Sequence, residues 1–272
     1  MFLLNPEAMD ISISTANTDM IMAMVMVTPK QLEEKRMKTK KINNLIDFHA
    51  HIIPGADHGS RSLECSRKQL ELLSEAEIEK VVATPHFYAH KTTLDEFLDV
   101  REECIENMKQ ILTETSPTVY SAAEVLLVRR LDEMDGLEKL CINGTNRILI
   151  EFPLTEFDSE LENTLLNIKE RGLCPIAVHI ERYEKSVAKR MSQLNIPCQV
   201  NVSSLASFWK RREIMQYVLN GTVQAIGTDI HGADEKFAQN YKKACNLLKD
   251  DLFSIMDLSE KLLENAQPVN VK

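Results

Sequence analysis

No stretch of this sequence is long and apolar enough to cross a membrane. The most apolar early segment, 20–27, falls far short of the roughly 20 residues a spanning helix needs. It also lacks the basic start and the small-residue cleavage site of an export signal. Positive charge is not in excess: 32 Lys and Arg face 41 Asp and Glu, a formal net charge of -9. A field of that sign does not draw the chain onto nucleic acid or anionic lipid, so neither is an expected partner. An anionic substrate would need local cations, either metal ions or a tight Arg/Lys site. The six cysteines stand at 65, 104, 141, 174, 198 and 245, and no two are three apart, which excludes a C-x-x-C zinc or redox unit. A disulfide framework is not expected in a chain of this size, and reduced thiols in a cytoplasmic protein are. There is no internal repeat and no low-complexity run.

What is present suits one large domain. The 272 residues are 44% hydrophobic and 27% charged, ordinary values for a globular protein. Residues 1–44 pass from polar sequence through a Met-rich run to a charged stretch without a sustained period. They predict a poorly ordered extension or a frayed helix, with the folded domain at 45–272. Short apolar runs then predict strands at 45–49, 81–84, 119–123, 148–152, 176–179, 199–202 and 224–227. Between them, a 3.6-residue period predicts helices after an N-cap at Ser62 and over 94–112, 183–194, 209–219 and 237–248. Another helix starts at a Ser159/Glu162 capping box and stops at Gly172. The β-α alternation implies a parallel sheet covered by helices. Seven strands suggest closure into an α/β barrel of roughly 200–250 residues, with an open sheet as the alternative.

The seven histidines are not scattered. Six lie at or just beyond a predicted strand, and the seventh, His90, follows His86 in a loop. His49 and His51 end the first strand two residues apart, so both point to one side of it. His86, Glu124, Glu151 and His179 each end or sit late in an apolar run, and Asp229 and His231 follow the last one. One such residue alone is best explained as a hydrogen-bonded polar group at a strand end. Together they would leave several buried charges poorly compensated unless metal ions bind. Mixed His, Asp and Glu donors suit zinc, manganese or iron.

Several segments resemble a known family. The strand 45–51, Thr84-Pro85-His86, Ile150-Glu151-Phe152, His179-Ile180-Glu181-Arg182-Tyr183 and Thr228-Asp229-Ile230-His231 are similar to the PHP-type (polymerase and histidinol phosphatase) protein-tyrosine phosphatases of bacterial capsule and exopolysaccharide loci. The resemblance runs from about 45 to about 248. It implies a seven-stranded distorted TIM-like barrel holding three divalent ions, manganese, iron or zinc. By matching positions, His49, His51, Glu124 and Asp229 would gather around one ion. Glu124 would reach a second ion held by Glu151 and His179, and His86 and His231 would serve the third. The family's Asp-Asp-Gly turn reads Asp57-His58-Gly59 here, which puts His58 in a ligand position and removes a negative charge. Arg182 matches a phosphate-binding arginine, and a second one falls at Lys236, which keeps the charge without the fork.

A competing pattern is present. Cys141-Ile142-Asn143-Gly144-Thr145-Asn146-Arg147 fits C-x-x-G-x-x-R, the loop of cysteine-dependent tyrosine phosphatases. That chemistry needs the loop to open a helix, whereas a strand is predicted at 148–152, so the match is read as coincidence. The resemblance implies hydrolysis of phosphotyrosine on a protein, the expected partner being the autophosphorylated tail of a bacterial tyrosine kinase controlling polysaccharide export. The alternatives are a small-molecule phosphomonoesterase of the histidinol-phosphatase kind and a non-catalytic metal-binding regulator. A chain beginning at Met37 is expected to keep its cooperative unfolding and its hydrolase activity. Loss of the cooperative melt in that truncation would mean that the removed segment belongs to the core.

Overall fold

The computed structural model describes residues 44–154 and 157–269. The extension read at 1–44 therefore lies, except for Asn44, outside the described residues. All seven predicted strand positions carry strands. They are β1 (Leu45–His51), β2 (Ile78–Ala83), β3 (His86–Phe87), β4 (Thr118–Ser121), β5 (Glu124–Leu126), β6 (Arg147–Glu151), β7 (Cys174–Ala177), β8 (Cys198–Asn201), β9 (Val223–Gly227) and β10 (Ile230–His231). Every pairing between them is parallel.

One closed seven-stranded sheet was expected, and the pairing instead gives two sheets. One runs β10-β1-β2-β4 and the other β3-β5-β6-β7-β8-β9. The cause is local. Three strand positions are broken in two, at 84–85, 122–123 and 228–229. Pro85 has no N–H to give a ladder, and Asp229 adopts a left-handed backbone with φ 54. Single backbone bonds persist at the breaks, from Thr84 N to Ala50 O at 2.9 Å and from Asp229 N to His49 O at 2.8 Å.

β1 is buried along its whole length. Ile46, Phe48 and Ala50 point to one side and Asp47, His49 and His51 to the other, so the strand offers an apolar face to the helices and a polar face to the centre. The helices form where periodicity placed them, with shifted ends. Ser62 caps Leu63–Glu75, its side chain accepting from Cys65 N at 3.1 Å. Leu94–Met108 stops short of 112 and begins at a Thr93/Glu96 capping box. The cap of Ser159–Glu170 is Asp158, not Ser159; its carboxylate accepts from Glu160 N and Leu161 N. The remaining predicted helices span Lys185–Gln193, Phe208–Leu219 and Glu235–Leu248. A short helix at Val202–Ala206 and a final one at Asp251–Leu262 were not anticipated. Tyr241 anchors the penultimate helix beneath β1, donating to Ile46 O at 2.7 Å.

Gly227 ends β9 where two strands crowd it. A Cβ there would lie 2.7 Å from His49 Cβ and 2.7 Å from Gln199 Nε2. Gly227→Ala should therefore destabilise the fold by about 1–3 kcal/mol, the usual cost of overpacking. Urea unfolding measures it, and an unchanged midpoint would show that β1 yields freely.

Candidate metal centre

Eight side chains from different strand ends converge: His49, His51, His86, Glu124, Glu151, His179, Asp229 and His231. Among the described residues they form four overlapping groups whose ligand atoms lie within 4.8 Å of one another. The groups are His49–His51–Glu124, His49–His179–Asp229, His86–Glu124–Glu151 and His51–His86–His231. Glu124 lies at the middle. Its Oε1 faces His179 Nε2 at 2.8 Å. Its Oε2 lies 2.9 Å from His86 Nδ1, 3.2 Å from His51 Nε2 and 3.3 Å from His49 Nε2, with no aligned hydrogen bond to any of them. The two Nε2 atoms of His49 and His51 stand only 3.1 Å apart.

Local backbone geometry aims these groups. His179 is not the end of a strand, as expected, but a left-handed residue with φ 56 that opens a single 3-10 turn over Ile180–Arg182. Asp229 is left-handed as well, so two candidate ligands occupy a conformation that non-glycine residues adopt at a cost of order 1–3 kcal/mol. Asp57 accepts from Gly59 N at 2.8 Å and His86 N at 3.1 Å and pairs with His51 Nδ1 at 2.7 Å. A Cβ on Gly59 would sit 2.1 Å from His51 Cβ, so glycine is required at that turn.

Charge is concentrated here. Burial alone would raise the Glu124 pKa, but the charge of His49, the bond from His179 and the close rings of His49 and His51 hold it well below the usual range. Asp229 is likewise held low against its burial, chiefly by His51 and His49. Burial pushes His49 down to about 4, whereas Asp229, Asp57 and Glu124 outweigh burial at His51 and raise it. Burial and the neighbouring Glu124 raise Glu151. Behind β1, burial raises Asp47 to about 7 although Thr228 donates to it twice, at 2.8 and 2.5 Å. Imidazole nitrogens crowding one buried carboxylate oxygen without hydrogen-bond alignment are the donor set a divalent cation fits.

The remaining expected site residues lie outside the four groups. His58 is exposed, its ring stacked 4.9 Å from His86 and tilted against His231 at 4.8 Å. Lys236 is exposed in the first turn of Glu235–Leu248. Arg182, 37% exposed, donates from Nη2 to Asp229 Oδ2 at 2.6 Å and lies 3.7 Å from Glu151. It also walls a cavity of about 470 Å³ shared with Leu154, Phe157, Tyr183 and Val187. A cavity of about 930 Å³ around Lys80, Arg147 and Lys261 lies at the opposite strand ends and holds none of the candidate residues. The sequence reading missed Asp57, Gln199 and Asn201. Gln199 and Asn201 stand two apart on β8 and so face one side of it, the spacing that paired His49 and His51.

The chain is similar in sequence and fold to known proteins. The family described as capsular polysaccharide synthesis, CpsB/CapC, matches residues 45–267. The tyrosine-protein phosphatase CpsB of Streptococcus pneumoniae is 26% identical over 211 residues, covering 71% of this chain and 85% of that protein. The tyrosine-protein phosphatase YwqE of Bacillus subtilis is 24% identical over 233 residues, covering 82% and 90%. A solved structure from work on YwqE and CpsB, described as metal-dependent tyrosine phosphatases, superposes with a TM-score of 0.66 at 20% identity. It covers 82% of this chain and 96% of the other.

The cysteine loop has a different setting. Arg147 begins β6, so the loop opens a strand at the end opposite Glu151. Arg147 binds the carbonyls of Glu264 and Lys261. Cys141 is buried, and burial pushes its thiol up to about 12. Cys141 is therefore expected to resist iodoacetamide at pH 8 in the folded protein while the exposed Cys174 reacts. Peptide mass spectrometry checks this, and fast alkylation of Cys141 would reopen the thiol reading.

Proposed function

This chain belongs to the CpsB/CapC family of capsular polysaccharide synthesis, and from that premise we propose that it is a metal-dependent protein-tyrosine phosphatase. The observation that carries the reading is the convergence of His49, His51, His86 and His179 on the two oxygens of a fully buried Glu124. Divalent ions held there, three of them by family expectation, acidify water and neutralise phosphoryl oxygens. The eight clustered side chains are the ligands. His58 joins the His51–His86–His231 group from its rim, a role its ring contacts with His86 and His231 support. Arg182 orients the phosphoryl group and stabilises its charge in the transition state, and Lys236 adds a second cation. The apolar and aromatic wall beside Arg182 suits the ring of a phosphotyrosine.

The two sheets read as one seven-membered ring. The chain itself joins β4 to β5 and β9 to β10 across the breaks between the sheets, and the pairing of β10 with β1 at Ala50–Ile230 and His51–His231 supports that reading. The substrate is the phosphorylated tail of a tyrosine kinase, and the compartment is the cytoplasm. The six unpaired thiols support that compartment. Among the described residues no helix is long and apolar enough to span a membrane.

The purified protein should lose activity on a phosphotyrosyl peptide in strong chelator and regain it with added manganese or zinc. Arg182→Ala should lower kcat by roughly 10² or more with little change in Tm, and Cys141→Ser should remain active. A chelator-resistant enzyme killed by Cys141→Ser would overturn the metal reading. Preference for histidinol phosphate over the peptide would overturn the substrate.

A further inference from the structure

Behind the centre lies a pair of amides that no candidate ligand set includes. The chain of bonds begins at a group whose polarity cannot be reversed. The backbone N–H of His179 donates to Gln199 Oε1 at 3.0 Å. With its oxygen so occupied, Gln199 turns its nitrogen to Asn201 Oδ1 at 3.0 Å. Asn201 is thereby fixed as well: its Nδ2 donates to Asp229 Oδ2 at 2.9 Å, and its Oδ1 faces His179 Nδ1 at 2.9 Å. An amide oxygen accepts and never donates, so His179 must carry its proton on Nδ1. With a cation on Nε2 the ring then needs only that proton; without one, Nε2 carries a second proton toward Glu124 Oε1 at 2.8 Å. Gln199, Asn201 and His179 are all buried, so water does not compete for these bonds. Reversing either amide would set hydrogen against hydrogen or oxygen against oxygen. Gly227 keeps the space in which the Gln199 nitrogen sits, 2.7 Å from where a Cβ would be.

We propose that Gln199 and Asn201 are positioning residues that impose polarity on the centre. They hold His179 in its Nδ1–H form and at the same time orient the carboxylate of Asp229. One amide thus prepares two of the three members of the His49–His179–Asp229 group for the same cation. The inference rests on the metal reading above.

The test uses the full chain loaded with zinc, which is diamagnetic, and nitrogen-edited NMR of the imidazoles, with His179 assigned from His179→Gln. The wild type should show the His179 proton on Nδ1. Asn201→Asp keeps an acceptor there and should keep that signature. Asn201→Leu should lose it and bind zinc about 10- to 100-fold more weakly in competition with a chromophoric chelator, the usual cost of removing such a partner. An Nδ1 without a proton in the wild type would overturn the proposal, and that measurement needs no variant to fold. Wild-type zinc affinity in an Asn201→Leu protein that melts cooperatively would overturn it too. If the wild type takes up no zinc, the metal reading fails, and the spectrum still decides whether the amides set the tautomer.

Discussion

The centre depends on a carboxylate that water cannot reach. Glu124 is fully buried, and an ionised group in such a place costs several kcal/mol unless charge and hydrogen bonds compensate it. The compensation comes from imidazoles on β1, β3 and the turn after β7. That demand explains features that look unfavourable in isolation. Strand ends must approach within a few ångströms, so the backbone needs glycine at 59 and 227. His179 and Asp229 adopt left-handed backbones where their side chains reach the centre. Four overlapping donor groups around one carboxylate hold more imidazole than that carboxylate alone can satisfy, and bound cations would resolve the crowding by replacing protons.

Much of this was legible in the sequence. Apolar runs located every strand position because strands buried on both faces read as continuous hydrophobic segments. The polar residue ending each run identified the convergence. The grouping was not legible, because it depends on where strand ends fall around the sheets. The groups overlap: His86 lies with Glu124 and Glu151 and also with His51 and His231, while His179 lies with His49 and Asp229. Strand breaks were hidden as well: nothing in Ala122-Ala123 announces one, and Asp229 shows its backbone conformation only in three dimensions. Helix caps shifted where two candidates stood side by side, as Asp158 and Ser159 do, since both residue types cap well. Asn201 was overlooked because amides are not among the common metal donors, although its position matched that of the ligands.

Arg182 links the halves of the centre. Its guanidinium holds Asp229, lies near Glu151 and walls the neighbouring cavity. A substrate anion approaching it would compete for donors already engaged by a candidate ligand. Phosphate bound there would therefore be coupled to the orientation of Asp229 through a single side chain, which a lysine's single ammonium could not do with the same geometry.

The pairing of β10 with β1 has a consequence for how the molecule is made. β1 pairs on one side with β2 and on the other with Ile230 and His231. As the chain leaves the ribosome, the second edge of β1 stays open until nearly the whole domain has been synthesised, at roughly 5–20 residues per second. During that interval the strand that carries the first two histidines is an apolar, unprotected edge, the kind that invites pairing with another nascent chain.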